Sequence, residues 1–279
     1  MKVAAIQMVS GTELNANLAQ AHALLLTAAR EGAELAVLPE YFCMLGHRDT
    51  DKLAIQEPFG SGPIQGFLGQ TARELGLWIA GGTLPVSASH SDPATPVSAD
   101  RAFNSTLVYS PAGQCVARYD KIHLFRFDNG QERYDESGVL WPGSEPVLFE
   151  LPSRDGHCWR IGLSVCYDLR FPELYRHYAR AGVELMLVPS AFTYTTGQHH
   201  WEVLLRARAI ENLAFVAAAA QGGQHENRRR TWGHSMLIDP WGGVLAQRAE
   251  GAGLAIAELD FARIESCRAQ LPALAHRVL

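Results

Sequence analysis

Three side chains in this 279-residue chain are potential catalytic groups: Cys166, Glu40 and Lys121. Cys166 ends the apolar run Arg160-Ile-Gly-Leu-Ser-Val-Cys166, directly before Tyr167-Asp-Leu-Arg-Phe-Pro172-Glu-Leu, which reads as the start of a helix. A strand end that opens onto a helix N-terminus exposes its side chain at the rim of a sheet, where peptide dipoles favour the attacking thiolate. The same stretch also suits a buried cysteine packed as a small hydrophobe, so taken alone it leaves both readings open. Glu40 falls at the end of Leu35-Ala-Val-Leu-Pro-Glu40, and Lys121 directly follows a hairpin. Singly, a carboxylate there is usually solvated and a lysine there usually points to water. Together they gain weight, because open α/β sheets gather functional residues at the carboxyl ends of their strands.

The elements that must position these groups alternate between short apolar strands and amphipathic helices, the pattern of a layered α/β fold. Helical periodicity covers residues 14–30 and 63–75, with strands at 35–40 and 77–83 and a surface loop at 87–100. A hairpin follows, from the strand 105–109 through the turn Pro111-Ala-Gly113 to the strand 114–119. Residues 125–143 are polar and aromatic without periodicity, and an unstructured stretch of that length in a compact enzyme is often functional. The pattern resumes with strands at 147–151 and 160–166, a helix at 172–181, a strand at 184–190 and a helix from about 199 to 212. Strands at 215–220, 234–239, 243–247 and 252–259 and a helix from Phe261 complete it. Leu35-Ala-Val-Leu-Pro-Glu40 and Leu185-Met-Leu-Val-Pro-Ser190 hint at a duplicated layout. No linker divides the chain, so a single domain over residues 1–279 is expected.

Composition narrows the function classes. A hydrophobic fraction of 47% with 19% charged residues is ordinary for a globular enzyme, and a net charge of -5 argues against a dedicated nucleic-acid binder. Five scattered cysteines, Cys43, Cys115, Cys158, Cys166 and Cys267, lack the pattern of a disulfide framework. The N-terminus is too short an apolar run for a signal peptide, and no stretch approaches the roughly 20 apolar residues of a membrane span. The expectation is a soluble protein of a reducing cytoplasm. His199, His200, His225 and His234 have no metal-ligand spacing, and the glycine pairs form no nucleotide-binding fingerprint, so neither metal nor cofactor is expected.

Leu38-Pro-Glu40, Tyr119-Asp-Lys121-Ile-His-Leu124 and Val165-Cys166-Tyr-Asp-Leu-Arg170-Phe-Pro-Glu173 resemble, in order, the three motifs of the nitrilase superfamily of carbon-nitrogen hydrolases. The resemblance continues across nearly the whole chain. It implies a four-layer α-β-β-α sandwich and a catalytic triad of Glu40, Lys121 and Cys166. A second glutamate usually follows the lysine motif. Glu136, in Tyr134-Asp-Glu136-Ser, is the matching position, with Glu132 close by. In the implied chemistry Glu40 takes the thiol proton, while Lys121 and the N–H of Tyr167 stabilise the tetrahedral oxyanion. Glu40 then protonates departing ammonia and activates the water that hydrolyses the thioester to an acid.

The outer segments are similar to the nitrilase-like amidase branch, which includes deaminated glutathione amidase and ω-amidase. These are Pro189-Ser-Ala-Phe-Thr-Tyr-Thr-Thr-Gly197, residues 200–212 and residues 233–242. Residues 221–233, with Gly, His and Arg, favour the first. The expected substrate is therefore a small carboxylated amide, with α-ketoglutaramate or α-ketosuccinamate as the ω-amidase alternative and a non-catalytic ligand binder as a further one. A carboxylate calls for a bidentate arginine. Arg170 and, within Arg228-Arg229-Arg230, Arg229 are candidates, against ordinary surface charges or ion pairs. Thr195, Thr196 and Trp201 suit pocket or interface lining, and equally capping or core packing. The resemblance also implies a homodimer or higher homo-oligomer, paired through the helices at 172–181 and 200–212.

Overall fold

Residues Val3 and Ala5 of the first strand pack into one core while Ala4 and Ile6 pack into another. Alternation of side chains along a strand means that both faces of its sheet are covered. The computed structural model describes residues 1–88 and 100–278. Its first half runs β1 (Lys2–Gln7), α1 (Leu14–Arg30), β2 (Leu35–Val37), α2 (Pro63–Leu75), β3 (Trp78–Ala80), β4 (Leu84–Ser87), β5 (Ala102–Tyr109) and β6 (Cys115–Asp120). A connecting segment carries β7 (Arg126–Asp128), β8 (Arg133–Asp135) and β9 (Leu140–Trp141). The second half runs β10 (Leu148–Pro152), β11 (Cys158–Leu163), α3 (Pro172–Arg180), β12 (Leu185–Leu187), α4 (Tyr194–Asn212) and β13 (Phe215–Ala218). It continues with β14 (Gly222–Gln224), β15 (Arg230–Trp232), β16 (Ser235–Ile238), β17 (Val244–Arg248), β18 (Gly253–Glu258) and α5 (Phe261–Gln270).

Two sheets carry the architecture. In the first, β1, β2 and β3 are parallel and are flanked by antiparallel β18 and β5. In the second, β11, β12 and β13 are parallel and are flanked by antiparallel β10 and β16. The duplication hinted at by the two proline-ended strands is thus visible in the pairing, with β2 and β12 central in equivalent positions.

Ala21, Leu25, Ile64 and Leu68 of α1 and α2 cover the first sheet. Tyr175, Tyr178, Trp201 and Leu205 of α3 and α4 cover the second. Gly162 shows which face of β11 meets the helices, since a Cβ there would lie 2.9 Å from the Tyr178 ring. Its neighbours Ile161 and Leu163 therefore point to the other sheet, where they share a core with Val3, Ala5, Leu35 and Val37. The layers are α-β-β-α, as expected. Among the described residues no helix is long and apolar enough to cross a membrane.

Several boundaries differ from the sequence expectations. The strand expected over 77–83 stops at Ala80, because Gly81-Gly82 turns the chain before β4 begins. The expected loop at 87–100 starts inside β4 at Ser87, and residues 89–99 lie outside the described residues. Residues 125–143 are not unstructured: β7 and β8 pair as a hairpin, a 3-10 turn spans Glu136–Gly138, and β9 runs parallel to β5. That order comes from long-range pairing, which leaves no periodicity in the segment itself. Helix α4 starts at Tyr194 rather than near 199, capped by the Thr193 hydroxyl, which accepts the Thr196 N–H. The basic loop 221–233 contains the β14–β15 hairpin.

Two glycines press against the backbone beside the candidate groups. A Cβ on Gly82, whose φ is +52°, would lie 2.1 Å from the Pro39 carbonyl oxygen, next to Glu40. A Cβ on Gly143 would lie 2.1 Å from the Asp120 carbonyl oxygen, next to Lys121. Neither contact can relax by a side-chain rotation, since both partners are main chain. Gly82→Ala is expected to lower unfolding free energy by about 2 kcal/mol or more. Denaturant titration measures this loss, and turnover should fall in parallel as the Glu40 segment shifts.

Candidate active site

The two sheets bring the candidate residues together at their rims. Glu40 lies just past β2 and Lys121 just past β6, both in the first sheet. Cys166 follows β11 in the second sheet and begins a 3-10 turn, Cys166–Arg170. Its N–H donates to the Pro189 carbonyl at 2.9 Å. Cys166 has φ of 50° and Tyr41, directly after Glu40, has φ of 55°. Left-handed backbone at non-glycine residues is costly and persists where the surrounding structure holds it.

Lys121 is 1% exposed, and its ammonium donates to Glu40 Oε1 at 2.9 Å and to both carboxylate oxygens of Glu136 at 3.0 and 2.8 Å. Glu40 is equally buried. Its Oε1 also accepts from Asn104 Nδ2 and its Oε2 from the Ala191 N–H, each at 2.9 Å. Glu136 further accepts from the Tyr41 hydroxyl at 2.8 Å and the Phe125 N–H at 2.7 Å. Of the two glutamates left open by sequence, Glu136 therefore sits on Lys121, while Glu132 accepts from the Thr195 hydroxyl.

These contacts set the protonation states. Burial pushes the Cys166 thiol well above its ordinary value; Glu40 raises it further, Lys121 opposes the rise, and Glu136 and a hydrogen bond to Glu40 add to it. Cys166 is therefore a neutral thiol at neutral pH. Burial would lower Lys121, yet Glu136, Glu40 and Cys166 hold its ammonium well above the usual value. Burial would raise Glu136, but Lys121 and Lys52 bring it below its usual value. The arrangement is an uncharged nucleophile beside a carboxylate that can take its proton and a fixed cation that can meet a developing oxyanion.

Asp168 ties the two sheets' contributions to one another. Its carboxylate accepts from the Val165 N–H at 2.8 Å and the Tyr119 hydroxyl at 2.7 Å, and from the His123 N–H at 3.0 Å with His123 Nδ1 at 2.7 Å. The segment bearing Lys121 is thereby locked to the turn bearing Cys166.

A small cavity opens at Cys166, lined by Phe125, Tyr167, Ala191, Phe192, Thr193 and Thr196. Tyr167 is thus placed at the cavity. The Arg170 guanidinium lies 5.8 Å from the Tyr167 ring centre and 5.5 Å from that of Phe192, with Nη2 3.3 Å from His200 Nδ1. Thr195 is engaged by Glu132, whereas Thr196 lines the cavity. Trp201 is core, fully buried, and donates to the His234 carbonyl. Arg229 lies over the Tyr134 ring at 5.0 Å, with Nη1 3.9 Å from Asp49 Oδ1. Sequence reasoning missed Tyr41 and Asn104. Tyr41 adjoins Glu40, and Asn104 opens the polar run Asn104-Ser105-Thr106 inside β5, a signal of buried hydrogen-bonding partners.

Cys166→Ala is expected to keep its melting temperature within a few degrees and to lose turnover, read by circular dichroism and product assay. Glu40→Gln should lower kcat/KM by about 10³-fold. The 240 nm thiolate absorbance difference between the native chain and Cys166→Ser should be absent at pH 7, because the raised thiol pKa places ionisation above neutrality.

Comparisons with known proteins identify the family. The carbon-nitrogen hydrolase family model matches residues 2–269. The chain is 42% identical to a deaminated glutathione amidase of Synechocystis over 277 residues, 99% of this chain and 97% of the relative. The crystal structure of the Caenorhabditis elegans NitFhit protein superposes with a TM-score of 0.85 at 35% identity over 99% of this chain. This chain covers 65% of that protein, less than two thirds of its length. Saccharomyces cerevisiae Nit3, described as a member of branch 10 of the nitrilase superfamily, superposes with a TM-score of 0.83 at 30% identity, covering 98% of this chain and 94% of Nit3. The chain belongs to the carbon-nitrogen hydrolase family of the nitrilase superfamily, whose members are hydrolases acting on carbon-nitrogen bonds.

Proposed function

We propose that this amidase works through a Cys166 thioester and that its substrate is deaminated glutathione or a close relative. The observation that carries the reading is the buried Lys121 ammonium bridging Glu40 and Glu136 beside Cys166. Cys166 Sγ attacks the amide carbon while its proton passes to Glu40. Lys121 and the Tyr167 N–H face the oxyanion, and Glu136 keeps Lys121 charged and in place. Glu40 returns the proton to the amide nitrogen as the C–N bond breaks, and the amine departs. For a primary amide that amine is ammonia; for deaminated glutathione it is the cysteinylglycine portion. Water then attacks the thioester, giving its proton to Glu40, and the acid leaves as Cys166 regains a proton.

Arg170 is the group we assign to a carboxylate on the acyl portion, because its guanidinium stacks against two aromatic walls of the Cys166 cavity. The substrate class rests on relatives of 36–42% identity that carry the name deaminated glutathione amidase. We further propose a homodimer formed through α4. Val203 and Ile210 lie two turns apart on that helix, 67% and 46% exposed, beside the turn bearing half-exposed Trp241. Five free thiols fit a reducing, cytoplasmic setting.

Comparison of kcat/KM for deaminated glutathione, α-ketoglutaramate, simple nitriles and carbamoyl amino acids tests the substrate. Deaminated glutathione should lead; a preference for α-ketoglutaramate would establish the ω-amidase alternative, and a preference for either of the last two would overturn both. Arg170→Met should raise KM for both carboxylated amides. Light scattering should give twice the chain mass, and Val203→Glu should shift it toward the monomer.

A further inference from the structure

Outside the cavity, one largely buried cation, Lys52, is held by an aromatic ring and only a distant carboxylate. Lys52, on the 3-10 turn Asp49–Ile55, has a side chain only 11% exposed. Its ammonium sits 4.3 Å from the centre of the Tyr41 ring, whose hydroxyl donates to Glu136. The carboxylate paired with it, Asp49 Oδ1, is 4.0 Å away, beyond hydrogen-bonding reach. Arg229 Nη1 lies 3.9 Å from the same oxygen. Two cations thus share one acid that fully satisfies neither.

The remaining nearby acids are already engaged. Glu132 accepts from Thr195, Glu136 from Lys121, Tyr41 and Phe125, and Glu40 from Lys121, Asn104 and Ala191. A mostly buried ammonium with open donors is costly unless an anion accepts from it. Burial pushes Lys52 below its ordinary value, while Glu136 and Asp49 oppose the shift. A bound anion would oppose it as well.

Aromatic contacts connect the pair to the site. Tyr134, beneath Arg229, has its ring 5.8 Å from that of Phe125, which lines the Cys166 cavity. Tyr41, beneath Lys52, touches Glu136 directly. Arg170, by contrast, lies against Phe192, another residue lining the cavity.

We propose that Lys52 and Arg229 form a second carboxylate site, which holds the free carboxylate of the amine portion of the substrate. The ligand class is an amide whose departing amine is an amino acid or short peptide with its C-terminus free. This deepens the function proposed above and rests on it, since deaminated glutathione carries such a carboxylate on its glycine and α-ketoglutaramate has no amine-side group at all.

The test compares deaminated glutathione with its C-terminal glycinamide form, the same molecule without that charge. The native chain is expected to prefer the free carboxylate by about tenfold or more in kcat/KM. In Lys52→Met and Arg229→Gln the preference should fall toward one. Equal rates on the two forms in the native chain would overturn the second site, with no variant needed. A preference that persists in both variants would overturn the assignment to these residues. Equal losses on both forms in Lys52→Met would instead mean that Lys52 acts through Tyr41 and Glu136, and would also overturn it. No turnover of deaminated glutathione alongside turnover of α-ketoglutaramate would overturn the substrate reading, and the second site with it.

Discussion

The structure turns on one buried ammonium. Lys121 has no exposure to speak of, and removing a charge from water costs several kcal/mol unless partners replace the lost hydration. Glu40 and Glu136 supply that replacement from two different stretches of chain. Burial first, and then the carboxylate charge of Glu40, raise the neighbouring Cys166 thiol well above its ordinary value, against the pull of Lys121. Asn104, Tyr41 and the N–H groups of Phe125 and Ala191 then spread the carboxylate charge over fixed dipoles.

Geometry of this quality requires a rigid support, and the support is the pair of sheets. Their repeated pattern of three parallel strands between antiparallel neighbours places β2 and β12 centrally, with Glu40 and Ser190 just beyond them. The Ala191 N–H that reaches Glu40 comes from the far sheet, and so does the Gln221 side chain that donates to the Glu40 carbonyl. Gly82 and Gly143 let the main chain approach the two motifs more closely than any side chain would permit. The constraint on the site therefore extends to residues that touch no substrate.

Much of this was legible from residue order. The layered α/β pattern and the helices at 14–30, 63–75 and 172–181 follow from periodicity, which a single chain records directly, whereas the α-β-β-α order was implied by the resemblance that the three motifs carry. Local signals failed where order comes from distant pairing. The β7–β8 hairpin and β9 occupy a segment without periodicity, and the start of α4 lies in a run of polar residues that reads as loop. The Glu136 and Glu132 positions are four residues apart in sequence, and only the folded backbone separates a contact with Lys121 from one with Thr195. Lys52 gave no sign in sequence, because its burial and its place over Tyr41 are tertiary facts.

The division of the site between the two sheets has a bearing on folding. Glu40, Lys121 and Glu136 all belong to the first 143 residues, and Cys166 to the remainder. The first sheet also takes β18 from the far end of the chain, so neither half alone completes both its sheet and the set of candidate groups. The inter-sheet core joins Val3, Leu35 and Val37 to Ile161, Leu185 and Leu187, and closing that core is the same event as assembling the catalytic groups. The contacts among Glu40, Lys121 and Glu136 and their nearness to Cys166 therefore depend on the two sheets being docked.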